Sequence, residues 1–289
     1  MYTTLIEPAE LAAPLSRHAS GDSDWVVLDC RFELARPDWG VSAYAAGHIP
    51  GAQYAHLDRD LSGPITPASG RHPLPGIERL AETFGRWGID DKTQVVAYDQ
   101  GNGAFAARLW WLLRWMGHRN VAVLNGGFAV WQQSGLPTET TAATHTPRLF
   151  TPRPEPSPVV STVELERRVA AGELASSVSV LVDARAADRF AGENETIDPV
   201  GGHIPGARNH PFSRNLDSRG RFLPAAELQE RWRVTLADAA PAQTIAMCGS
   251  GVTACHNLLA LEVAGLEGAR LYAGSWSEWI RDRSRPVTR

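Results

Sequence analysis

The sequence predicts an α/β protein built from two homologous domains, each a mostly parallel sheet flanked by helices. Three observations predict it. The chain repeats itself: His48-Ile-Pro-Gly-Ala52 recurs as His203-Ile-Pro-Gly-Ala207, and its neighbours recur in the same order. Val27-Leu-Asp-Cys-Arg31 is echoed by Leu181-Val-Asp-Ala-Arg185, Val95-Val-Ala-Tyr-Asp99 by Thr244-Ile-Ala-Met-Cys248, and Trp131 by Trp279. Short apolar runs alternate with helical patterns within each copy, which is the order of a βα fold. Those runs are continuous rather than alternating, as expected of parallel strands covered on both faces. The repeat is too long for a solenoid, so it marks two domains.

In chain order, the first copy offers strands at Val26–Leu28, Val95–Ala97 and Val121–Leu124. A helix from Ala104 to Met116 is stopped by Gly117. Trp110, Trp111 and Trp115 lie on this apolar helix and read as core. Residues 138–158 carry five prolines without helical or alternating pattern, so they read as a linker between domains at 1–137 and 159–289. The second copy repeats the strands at Val180–Val182, Thr244–Met247 and Ala269–Tyr272, and the helix from Ala254 to Ala264 ends at Gly265.

Composition narrows the function. The 289 residues are 43% apolar and 21% charged with a net charge of -4, and no Lys/Arg run marks a nucleic-acid surface. No apolar run is long enough to span a bilayer. The amino-terminal residues lack the pattern of a secretory signal. Cys30, Cys248 and Cys255 form no disulfide framework, which fits a reducing, cytoplasmic setting.

The chemistry concentrates at Cys248. It ends an apolar strand and opens the loop Cys248-Gly-Ser-Gly-Val-Thr253 ahead of a helix. Backbone N–H groups of such a loop and the helix dipole favour a thiolate. Gly249 and Gly251 let the main chain curl around the sulfur, and the Ser250 and Thr253 hydroxyls can reach the sulfur or an anion. A ring of N–H donors suits a persulfide anion and requires neither metal nor cofactor. A phosphatase loop would need an arginine where Ala254 stands. No second thiol lies at metal-ligand spacing, and Cys255, inside the helix, reads as core.

With these residues the chain resembles the tandem-domain rhodanese family of sulfurtransferases. The loop from Cys248 to Ala254 is similar to that of its 3-mercaptopyruvate sulfurtransferases. The doubled His-Ile-Pro-Gly-Ala motif, Asp183-Ala-Arg185 and the ending Tyr272-Ala-Gly-Ser-Trp-Ser-Glu-Trp279 extend the likeness over nearly the whole chain. The resemblance implies two rhodanese-like domains with only the second catalytic. Asp99 stands where Cys248 stands, which makes the first domain a scaffold covering the active-site cleft. It further implies that Arg189 binds the donor's anionic group, that Gly249, Gly251, Val252 and Thr253 line the donor site, and that Asp58, His72 and Ser250 form a proton relay. His48 and His203 occur in both copies and read as structural.

The expected activity is transfer of sulfane sulfur from 3-mercaptopyruvate through a Cys248 persulfide to cyanide, a small thiol or a thioredoxin-like protein. Thiosulfate is the alternative donor, and a non-enzymatic sulfur carrier or redox module is the alternative class. One departure bears on the donor. Mercaptopyruvate enzymes carry a second arginine shortly after the one matched by Arg189, and Asp198 stands near that place here.

Overall fold

The structure is a computed structural model and describes residues 1–17, 24–154, 158–237 and 239–289. Its contacts divide the chain into two units: Met1–Gly63 with Pro75–Glu155 and Ser218–Phe222, and Pro64–Leu74 with Pro156–Asp217 and Leu223–Arg289.

The first unit runs β1 (Leu5–Ile6), α1 (Pro8–Arg17), β2 (Trp25–Asp29), α2 (Trp39–Ala46), β3 (Gln53–Tyr54), α3 (Ile77–Arg86), β4 (Gln94–Tyr98), α4 (Ala106–Trp115), β5 (Val121–Leu124) and α5 (Gly127–Gln133). The second runs α6 (Thr162–Ala170), β6 (Val180–Asp183), α7 (Ala187–Ala191), β7 (Arg208–Asn209), α8 (Ala225–Leu236), β8 (Thr244–Met247), α9 (Thr253–Val263), β9 (Arg270–Leu271) and α10 (Ser275–Trp279). Strand order is β1-β5-β4-β2-β3 in one sheet and β7-β6-β8-β9 in the other, and every pairing is parallel. A bridge from Val159 to Leu271 occupies the edge that β1 fills in the first sheet. The central strands β4 and β8 are buried along their whole length, as their continuous apolar sequences require.

The repeated motifs build the same local structure twice. Arg31 forks onto Asp29 and donates to the Gly47 carbonyl, and Arg185 forks onto Asp183 and donates to the Gly202 carbonyl. All four side chains are buried, so each charge is held by its partner. His48 Nδ1 bonds the Tyr44 carbonyl and His203 Nδ1 the Phe190 carbonyl, with rings stacked at 3.9 and 3.8 Å.

Several boundaries differ from the sequence expectation. Helix α4 starts at Ala106 rather than Ala104, because the N–H groups of Phe105 and Ala106 turn to the Asp99 carboxylate. Helix α9 begins one residue early, at Thr253, and β9 keeps only two residues. Trp110 and Trp111 are core, but Trp115 is half-buried and stacks on Trp111. The stretch expected to be a linker is tied to the first unit by backbone bonds, His48 to Glu139, Arg148 to Gly85 and Arg153 to Met116. Residues 64–74, expected in the first domain, group with the second unit. There Gly70 N donates to Glu278, Arg71 N to Ser277 Oγ, and Arg281 Nε to the Ser69 carbonyl. No helix among the described residues is long and apolar enough to cross a membrane.

His210 supplies a test of the second unit's core. It is buried, stacked at 4.0 Å on Trp232 and bonded to Thr235 and Asn215. Burial pulls its imidazole down to about 4 from 6.5, partly offset by the Asn215 bond. Below the unfolded value the unfolded chain takes up a proton that the folded one refuses, so the His210 contribution falls as pH drops. Urea unfolding should lose about 2 kcal/mol from this group between about pH 7.5 and pH 5. The His210→Gln protein, less stable at the upper pH, should lack that component of the slope.

Candidate active site

The loop between β8 and α9 is shaped around one sulfur. Cys248 follows the buried strand and is 2% exposed. Its Sγ accepts hydrogen bonds from Ser250 N at 3.4 Å and Gly251 N at 3.1 Å. Two N–H groups therefore converge on it, fewer than the ring of donors expected from the sequence. Gly251 has φ +79, and a Cβ there would lie 2.4 Å from the Ala273 carbonyl oxygen, so only glycine fits.

The start of α10 holds this loop from the outside. Cys248 N donates to Ser275 Oγ, and Trp276 N and Ser277 N donate to the Cys248 and Gly249 carbonyls. Ser275 adopts φ +54, an uncommon conformation for a residue with a side chain. Its hydroxyl also donates to the Tyr272 carbonyl, so both polar functions of the side chain are used.

The remaining expected residues are placed differently from one another. His72 Nδ1 lies 2.7 Å from Ser250 Oγ and both are buried, so the Ser250 hydroxyl faces the imidazole. Val252 is buried just before α9, and Thr253 opens that helix half-buried. Asp58 is an exposed residue of the first unit, where its N–H donates to His56 Nδ1 at 3.1 Å. Ala254 is fully buried in the first turn of α9, and Cys255 is buried with its thiol donating to the Gly251 carbonyl.

Arg189, on α7, belongs to a charge network. Glu195 accepts from Arg189 Nε and Nη2 at 3.0 and 2.8 Å and from Arg185 Nη1 at 3.2 Å. Asp198 accepts from Arg189 Nη2 at 3.2 Å and also from Arg71 Nη1. Burial pushes the Asp198 carboxyl up; the two arginines pull it back, and Glu195 adds to the rise. Burial acts the same way on Glu195, but Arg189 and the N–H groups of Asp198 and Ile197 outweigh it and hold it below its ordinary value.

Sequence reasoning missed Arg71, Glu195 and Ser275 at this site. For Ser275 a signal exists. It aligns with Gly127 of the first copy, which has φ +58, so a serine has replaced a glycine at a left-handed position. Arg71 has no such signal, because its approach depends on how residues 64–74 fold back on α10.

Comparison with known proteins adds the lineage. Residues 9–134 and 161–282 both match the Rhodanese-like domain family. The chain belongs to the rhodanese family. A probable 3-mercaptopyruvate sulfurtransferase of Pseudomonas aeruginosa is 48% identical over 98% of this chain and 97% of its own length. The thiosulfate sulfurtransferase of Gallus gallus is 37% identical over 81% of this chain and 78% of its own. Among solved structures, SseA of Escherichia coli, described as a 3-mercaptopyruvate sulfotransferase, superposes with a TM-score of 0.80 at 31% identity. It is matched along its whole length and covers 96% of this chain. The protein is an enzyme, a sulfurtransferase with tandem rhodanese domains.

The first rhodanese unit carries the same loop with its donors already used. Asp99 is buried and accepts from Gly101 N, Gly103 N, Phe105 N and Ala106 N at 2.9 to 3.3 Å. Burial raises its carboxyl despite these four bonds. An internal anion thus fills the cradle that surrounds a sulfur in the second unit.

The Ser275 geometry predicts an unusual order of variants. Ser275→Ala keeps the positive φ and loses both bonds, and should cost about 2 kcal/mol; Ser275→Gly relieves the backbone and should cost about 1. Urea denaturation of the two proteins gives the ranking. An alanine variant more stable than the glycine variant would contradict the assigned strain.

Proposed function

We propose that this rhodanese moves sulfane sulfur from 3-mercaptopyruvate to a small thiol or cyanide by way of a persulfide on Cys248. The observation that carries the reading is the Cys248 sulfur facing two backbone N–H groups, with the Ser250–His72 pair beside it. Donors fixed by the backbone stabilise charge on a thiolate or persulfide without reorganising during the reaction.

In the first half-reaction the Cys248 thiolate attacks the donor sulfur. A sulfur–sulfur bond forms, the carbon–sulfur bond breaks, and its electron pair leaves on carbon as the enolate of pyruvate. The enolate takes up the proton that the donor's thiol brought, which leaves the Cys248 persulfide as an anion, and the Ser250 hydroxyl, backed by the His72 imidazole, relays that proton. In the second, an acceptor thiolate or cyanide attacks the outer sulfur and the Cys248 thiolate departs. Arg189 holds the donor's anionic end. Asp58 is the candidate third member of the relay, and a reducing, cytoplasmic setting would keep the three free cysteines as thiols.

Thiosulfate is the second reading, favoured by Asp198 at the place of a second arginine and by relatives named for that donor. Its leaving group, sulfite, requires no carbon protonation, so the Ser250–His72 pair distinguishes the donors. The family assignment sets aside a non-enzymatic carrier.

Incubation with each donor followed by intact mass should show one added sulfur atom on the wild type and none on Cys248→Ser; absence of the adduct with both donors would refute the mechanism. The kcat/KM for 3-mercaptopyruvate should exceed that for thiosulfate. His72→Asn should lower the mercaptopyruvate value about a hundredfold while leaving transfer from preloaded persulfide to cyanide within a few-fold. Equal losses in both half-reactions would remove the proton role from this pair.

A further inference from the structure

Asp198 stands where a second donor-binding arginine was expected, yet the structure brings another guanidinium to the loop. A Cβ built on Gly249 would lie 2.9 Å from Arg71 Nη2, and 3.6 and 3.8 Å from Arg189 Nη2 and Nη1. Both cations therefore close on the residue next to Cys248, and glycine there is what allows the approach. Asp198 sits between them with one oxygen on each, its own side chain 3% exposed.

The atoms left over are informative. Arg71 spends Nη1 on Asp198, and Arg189 spends Nε and Nη2 on Glu195 and Asp198. Among the described residues, Arg71 Nε is buried without an acceptor, and neither Arg71 Nη2 nor Arg189 Nη1 has a hydrogen-bond partner. Two of those three unpaired nitrogens, Arg71 Nη2 and Arg189 Nη1, lie within 4 Å of the Gly249 position, and the first is the nearest atom to it. A buried guanidinium nitrogen without an acceptor is unfavourable unless something else supplies one. Arg71 and Asp198 also line a cavity of about 610 Å³ with Ser277, Arg281 and Arg283, on a side that neither Arg189 nor the Cys248 loop lines.

We propose that Arg71 is a donor-binding residue: with Arg189, and oriented by Asp198, it grips the anionic group of the sulfur donor over Gly249. It thus performs the work of the second arginine from a different segment of the chain, and Asp198 is a positioning residue for both guanidiniums. The group gripped is an oxyanion, the carboxylate of a 2-oxo acid or the sulfonate end of thiosulfate. This rests on the proposed reaction at Cys248, but its test need not.

Alkylation separates the two. Iodoacetate and iodoacetamide react with the Cys248 thiolate in the same way, forming a sulfur–carbon bond with loss of iodide, and differ in carrying an anion or a neutral amide. Rate constants at Cys248 are taken from intact mass, with Cys248→Ser as the blank for Cys30 and Cys255. Arg71→Gln should lower the iodoacetate-to-iodoacetamide ratio about tenfold relative to the wild type, the loss of one charge-assisted contact. The iodoacetamide rate should stay within about twofold, which reports an intact loop. Arg71→Lys should recover part of the ratio. Steady-state assays should show KM for the preferred donor rising in Arg71→Gln more than kcat falls, and running both donors identifies which oxyanion is held. An unchanged ratio in Arg71→Gln, or a Lys variant no better than Gln, overturns the role of Arg71 even if Cys248 accepts sulfur. A wild type that gains no sulfur defeats the reaction while leaving the alkylation result to stand.

Discussion

The site depends on the grip that the start of α10 keeps on the Cys248 loop. Cys248 donates through its N–H to Ser275, and the carbonyls of Cys248 and Gly249 accept from Trp276 and Ser277. With the outward polar groups of the loop satisfied in this way, the N–H groups of Ser250 and Gly251 remain for the sulfur. A loop without this backing would turn those donors to whatever acceptor lay nearest. The same segment fixes Gly70 and Arg71 through Glu278 and Ser277, and Arg281 just beyond it holds Ser69, so the anchor that shapes the sulfur's surroundings also brings His72 and Arg71 into place.

Duplication makes the logic visible because the two units solve one backbone problem differently. Each has a parallel strand ending at a tight turn before a helix, with N–H groups directed inward. In the first unit the Asp99 carboxylate collects four of them, which are then not directed at a ligand. In the second, a thiol of one atom collects two. The first arrangement is a stable internal cap, and the second leaves capacity for an additional atom on the sulfur. The motifs shared by both units, the Asp–Arg forks and the stacked histidines, are framework and lie outside this difference.

The fold was legible in the sequence where structure follows from local pattern. Continuous apolar strands such as β4 and β8, glycine-terminated helices and the repeated turn motifs all encode themselves within a few residues. Two-residue strands such as β3 and β7 carry too little pattern to be read. At the site, Cys248, Ser250 and Gly251 were legible because one loop carries them. His72 and Arg189 were legible only through resemblance. Arg71 was not, since its ion pair with Asp198 spans 127 residues, which composition and spacing do not record. Glu195 was not either, although its partners Arg189 and Arg185 lie only 6 and 10 residues away, because the loop that returns it to them carries no periodic pattern. The Ser250–His72 contact spans 178 residues of sequence, and only the resemblance pointed to it.

The reading of Asp198 as a lost cation changes once its neighbours are counted. Arg71, Arg185 and Arg189 meet Asp183, Glu195 and Asp198, so the network is balanced in formal charge. An arginine at 198 would have added charge with no carboxylate to share between Arg71 and Arg189, and two bare guanidiniums beside each other repel. The carboxylate instead allows the cations to stand close together at Gly249. What the site then offers an anion is a set of directed N–H donors in a partly buried place, where such contacts are strong, rather than a positive field reaching into solvent. In a protein of net charge -4, the proposed role of Arg71 and Arg189 places selection of the donor at contact, in the geometry of those nitrogens.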